Sequence, residues 1–233
     1  MSADRKRTMA RIWWTLSSIE CVLTVITGRP RAIAANDCTV PPPGVMETDT
    51  QTSPRDVTTP SSAVSRMSIS TGDPGLDSFD VAYVKLDVLM DKILSGLYSA
   101  RKSATSWKQV QGVITSLLEE LDTWALQSLS QKPYGGTGTS KPDMNREQLL
   151  LHFNYQNAKI CITRPCLCRL DQRIKGQSEQ SARFNQKMAE TCINAALNTA
   201  SLLPDDPDPH WFYEQGPWWF ATHSSMSFLS ILK

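Results

Sequence analysis

Apolar residues recur at three- and four-residue steps through most of this chain, and that pattern predicts a succession of amphipathic helices. The stripe Ile12, Leu16, Ile19, Leu23 and Ile26 predicts a first helix from about Arg5 to Ile26, with that face buried. Gly28 is placed to take a left-handed C-terminal conformation, and Pro30 forbids continuation. Two longer stripes follow: Phe79, Tyr83, Leu86, Met90, Ile93 and Leu97, then Trp107, Val110, Ile114, Leu117, Leu121 and Trp124. A short link around Ser103 to Ser106 predicts an antiparallel hairpin. A coiled-coil seam is the competing reading, because both stripes repeat about every 3.5 residues.

Asn145 and Gln148 stand in capping-box spacing at the head of a further helix. Around Leu149, Phe153 and Ile160 that helix is nearly apolar on all sides, so it is expected to be central and to end at Pro165. Ser178 starts the next helix, with Phe184, Met188, Cys192, Ala195, Ala196, Thr199 and Leu203 as its buried stripe. Pro217 suits a first helical position and predicts a last helix running to Lys233. The expected fold is all-α, an irregular array of about six helices.

Residues 47–74 break the pattern with Ser, Thr, Pro and Asp. Val57, Val64, Met67 and Ile69 are too sparse to offset the entropy of ordering this stretch, which reads as a disordered insert. Residues 1–46 and 75–233 then belong to one domain, interrupted by the insert. The chain's 233 residues, 40% hydrophobic and 20% charged, suffice for one sizeable apolar core. A net charge of +1, with no long Lys/Arg run, gives no basic face for neutralising phosphates, so the chain is not expected to grip DNA itself. Arg5, Lys6 and Arg7 before an apolar run suggest either a signal-peptide front or a nuclear-import fragment. Ser17, Ser18 and Glu20 interrupt the run, and it falls short of the roughly 20 apolar residues of a membrane span. No membrane association is expected.

Candidate chemistry is thin. Cys21, Cys38, Cys161, Cys166, Cys168 and Cys192 show no two-residue spacing of the kind that pairs thiolates on zinc, and most lie in apolar helical pattern as buried thiols. Cys161, Cys166 and Cys168 with His152, and the run Asp205-Asp206-Pro207-Asp208-Pro209-His210, are weighed as metal ligands. The first fits core packing better, and the prolines of the second disperse its side chains. No catalytic residue, cofactor or metal site is expected. The aromatic groups Trp13-Trp14, Trp211-Phe212-Tyr213 and Trp218-Trp219-Phe220 either anchor the core or line a small-molecule effector pocket with polar groups such as His223 or Arg164. Arg29-Pro30 and Arg164-Pro165 each place a guanidinium at an expected helix end, able to cap carbonyls or fork onto a carboxylate such as Glu20 or Asp37.

Three stretches resemble one family together. The first is Arg11-Ile12-Trp13-Trp14 leading into a helix with Glu20, stopped by Gly28-Arg29-Pro30 and followed by Asp37-Cys38. The second is Ile162-Thr163-Arg164-Pro165-Cys166-Leu167-Cys168-Arg169, and the third is Gly216-Pro217-Trp218-Trp219 with His223. In this order they resemble the middle homology (regulatory) domain of fungal zinc-cluster transcription factors. The resemblance implies a nuclear, non-enzymatic regulator of RNA polymerase II transcription, partnered by other transcription regulators or coactivators. Zinc and DNA binding would belong to a six-cysteine cluster that this sequence lacks. Because the match begins almost at Met1 and stops at Lys233, a partial regulatory domain is expected. An effector-sensing or protein-interaction scaffold, or a non-functional truncated product, are the alternatives.

Overall fold

The computed structural model describes residues 3–27, 29, 31–33, 39–40, 78–99, 106–129, 145–171, 177–203, 210–211 and 214. Among them are five α-helices and no strand: α1 (Ala3–Thr27), α2 (Ser78–Leu97), α3 (Trp107–Ser128), α4 (Arg146–Asp171) and α5 (Glu179–Ser201). The expected insert at 47–74 and the expected last helix after Pro217 lie outside the described residues.

Capping fixes three of the helix starts. Ser106 caps α3, accepting from the Gln109 amide while the Gln109 side chain accepts from the Ser106 amide. This reciprocal box stands where the sequence reading saw only a link. Asn145 Oδ1 accepts from the Gln148 amide at 2.8 Å, and Ser178 accepts from the Ser181 amide at 3.3 Å. Each such cap is worth about 1 kcal/mol.

α2 and α3 pack as an antiparallel hairpin, with Ala82 beside Trp124 at one end and Gly96 against Val113 at the other. Their stripes meet inside the chain, where Ile93, Ile114 and Leu121 are wholly buried, each contributing about 1.5–3 kcal/mol relative to exposure. α4 is the central helix, touching α2, α3 and α5. On α3, the Trp124 ring stacks on Tyr155, and Arg169 lies over the Trp107 ring at 3.9 Å. Against α5, Ile160 of α4 packs with Cys192, Ala195 and Ala196, whose small side chains let the backbones approach.

Two expectations are corrected. First, α4 does not stop at Pro165 but continues to Asp171. A proline inside a helix removes the hydrogen bond to the carbonyl four residues earlier, which here is that of Cys161. The Tyr98 hydroxyl donates to that same oxygen at 2.6 Å, so the residue that follows α2 supplies what the proline removes. Arg164 is therefore mid-helix and caps no terminus; its guanidinium sits 5.4 Å over the Tyr98 ring.

Second, the apolar stripe of α1 faces outward. Met9, Ile12, Leu16, Ile19 and Leu23 are 45–56% exposed, whereas Trp14, Ser17, Ser18, Cys21 and Thr24 are buried. α1 runs parallel to α2, with Arg11 bonded to Asp80 near one end and Cys21 beside Asp87 farther along. A face of small and hydroxyl side chains seats α1 against its neighbour.

Replacing Tyr98 with Phe should orphan the Cys161 carbonyl and cost about 1–3 kcal/mol in urea unfolding. Adding Pro165→Ala, which restores an amide donor to that oxygen, should recover much of the loss. A double-mutant cycle showing strict additivity would contradict the exchange.

Candidate functional site

Where α1, α2 and α4 meet, a cleft of about 340 Å³, counting its open mouth, is lined by Ser18, Cys21, Val22, Val25, Tyr83, Leu86, Asp87, Met90, Asn154 and Asn157. Its enclosed part takes only one water-sized group. Most of the wall is apolar, but one carboxylate is built into it. Asp87 is 8% exposed, and burial pushes its carboxyl up to about 6. Arg31, Cys21 and Ser18 act in the opposite direction, while Asp91 adds to the rise. Burial likewise raises the Cys21 thiol well above its usual range and Tyr83 to about 12, so both stay protonated at neutral pH.

Behind the cleft, Arg31 ties the segment after α1 back onto α1 and α2. Its Nε donates to Glu20 at 2.9 Å, Nη1 to Asp91 at 3.1 Å, and Nη2 to the Ser17 hydroxyl at 2.9 Å and carbonyl at 3.2 Å. Glu20 also accepts from the Ala32 amide at 2.6 Å. The guanidinium side chain is 9% exposed, so these charge-assisted bonds are shielded from water.

Of the expected site residues that are described, none lines the cleft. Trp13 is half-buried and Trp14 buried on α1, but neither lines the cleft. Arg29 is exposed, and its amide donates to Thr27 Oγ1 at 3.4 Å. The arginine bonded to Glu20 is Arg31, through its Nε. Arg164 and Pro165 lie on α4 at the Tyr98 contact. Gly28, Pro30, Asp37, Trp218, Trp219 and His223 lie outside the described residues. The sequence reading missed Arg31 and Asp87; the available signal was a carboxylate four residues after Tyr83, set inside an apolar stripe.

The weighed metal groups do not assemble among the described residues, where no three His, Cys, Asp or Glu side chains converge. Burial raises the thiols of Cys161 to about 11 and Cys166 to about 12, away from the thiolate that a metal or redox role needs. Cys168 is exposed. Asp205 to Asp208 lie outside the described residues. Among the described residues, no helix is long and apolar enough to cross a membrane.

Two curated proteins are similar in sequence. One is the transcription regulator galc of Aspergillus niger, 25% identical over 95% of this chain and 32% of its own length. The other is an uncharacterized transcriptional regulatory protein of Schizosaccharomyces pombe, 25% identical over 83% of this chain and 21% of its own. The chain thus spans about a third and about a fifth of these two relatives. No protein-family profile matches the chain. No solved structure matches it.

Arg31→Ala leaves Glu20 and Asp91 without their shared partner and should lower unfolding free energy by about 3 kcal/mol. Arg29→Ala should stay within about 0.5 kcal/mol, and equal effects in chemical denaturation would contradict the assignment. The folded carboxyl of Asp87 is raised from 3.8 to about 6, so the folded state holds its proton more tightly than the unfolded state. The stability contributed by that bound proton is full below pH 4 and is lost as pH rises through 6. Asp87→Asn should therefore gain about 2 kcal/mol over the native chain between pH 4 and pH 7.5, read as the difference of two urea titrations.

Proposed function

We propose that this chain is a helical regulatory module of a fungal transcription factor, acting in the nucleus on RNA polymerase II transcription through contacts with other proteins. DNA and zinc binding would be supplied by a six-cysteine cluster outside this sequence. Residues 1–46 and 75–233 form parts of the one module, with 47–74 as an insert between them. Arg29-Pro30, Arg164-Pro165 and the Trp218-Trp219 and His223 stretch are carried as family-motif positions without catalytic role.

The observation that carries this reading is similarity along nearly the whole chain to two fungal proteins named as transcription regulators. Two physical features support the protein-contact part of it. The net charge of +1 leaves little excess for phosphate neutralisation. The outward stripe Met9, Ile12, Leu16, Ile19 and Leu23 forms a contiguous apolar face of the kind that marks protein interaction sites.

Fusing the full chain to an unrelated DNA-binding domain in a fungal reporter strain tests the proposal. The fusion should change reporter output several-fold, and Leu16→Glu with Leu23→Glu should remove that change while the purified variant keeps its helical circular dichroism. A folded fusion with no effect on the reporter, or salt-dependent duplex binding by the purified chain alone, would refute the reading.

A further inference from the structure

The stripes of α2 and α3 close on each other inside the chain, but α1 carries a further seam that no described helix covers. Met9, Ile12, Leu16, Ile19 and Leu23 follow one another at alternating steps of three and four residues, the heptad spacing of a coiled coil. Trp14, Ser17, Ser18, Cys21 and Thr24 seat the opposite side of the helix in the domain, so the seam points outward along about four turns. Its flanking positions hold Thr8, Trp13, Thr15, Glu20 and Val22, and Glu20, the one charge among them, is already bonded to Arg31. Such a border offers no ion pair to a charged partner helix and no repulsion to its own copy. The basic run Arg5-Lys6-Arg7 stands at one end of α1 only, so two copies keep these runs apart when they lie antiparallel. Leu16 then meets Ile19 of the second copy and Ile12 meets its Leu23, and one self-complementary patch closes a two-fold pair. Covering the five side chains on both copies removes roughly 1,000 Å² from water, the lower bound of a specific interface.

We propose that two copies of this chain associate as a weak dimer through antiparallel pairing of their α1 seams. The pairing deepens the protein-contact reading of the same stripe and rests on it, with the second copy as the contact. A small interface without ion pairs holds such a dimer in the micromolar range, where local concentration decides whether it forms.

Sedimentation equilibrium of the full chain, from about 1 to about 300 μM, tests the pairing. The mass should rise from 26.0 kDa toward twice that value, with a Kd of roughly 10–100 μM. Leu16→Glu, at a 55% exposed position, should keep the native circular dichroism and raise the Kd at least about tenfold. Leu197→Glu, equally exposed but on α5, should leave the Kd unchanged. In a Cys38→Ser, Cys168→Ser background, spin labels at Lys6→Cys should stand about 35 Å apart across the dimer, near the length of α1. A parallel pair would bring them within about 20 Å. A folded chain that stays monomeric throughout, a dimer kept in Leu16→Glu, or labels close together would each overturn the proposal. A monomeric chain that still changes the reporter output would sink the pairing and spare the regulatory reading.

Discussion

The hydrogen bond from the Tyr98 hydroxyl to the Cys161 carbonyl lets one helix serve three neighbours. α4 packs on α2, α3 and α5, and its buried run Ile160 to Thr163 and Cys166 straddles the proline. Had Pro165 ended the helix, Cys166, wholly buried, and Arg169, stacked on Trp107, would have lost their placement. A carbonyl without its helical donor is costly inside a core, but a tyrosine just past the end of α2 makes it inexpensive. The same ring carries the Arg164 guanidinium on its face, so one side chain completes the backbone and shelters a cation.

The all-helical class, the α2–α3 hairpin, the centrality of α4 and the caps at Asn145 and Ser178 were legible because each rests on local pattern. Apolar spacing says where a helix lies and that it has two faces. It does not say which face its neighbours will take. In α1 the Leu and Ile stripe is the obvious inward face, yet Trp14, Cys21 and the hydroxyls of Ser17, Ser18 and Thr24 occupy that position. Long-range contacts accompany that choice: Arg31 reaches back eleven residues to Glu20 and across to Asp91. No window of a dozen residues contains that triangle.

The same limit explains the candidate site. A proline follows both Arg29 and Arg164, and a guanidinium before a proline looks like a helix stop. The structure uses the next arginine along for the ionic contact and reads straight through the second proline. Asp87 was hidden for the opposite reason, since a carboxylate within an apolar stripe passes for solvated edge until three helices close over it. Half of the named positions, among them Trp218, Trp219 and His223, fall outside the described residues.

The distribution of thiols has a practical corollary. Of the five described cysteines, Cys21, Cys161, Cys166 and Cys192 are buried, and Cys168 alone reaches the surface, one helical turn beyond the proline. A maleimide dye applied to the native protein would mark the outer end of α4 among these positions. Unfolding would release the others, turning alkylation stoichiometry into a gauge of how intact the helical array is.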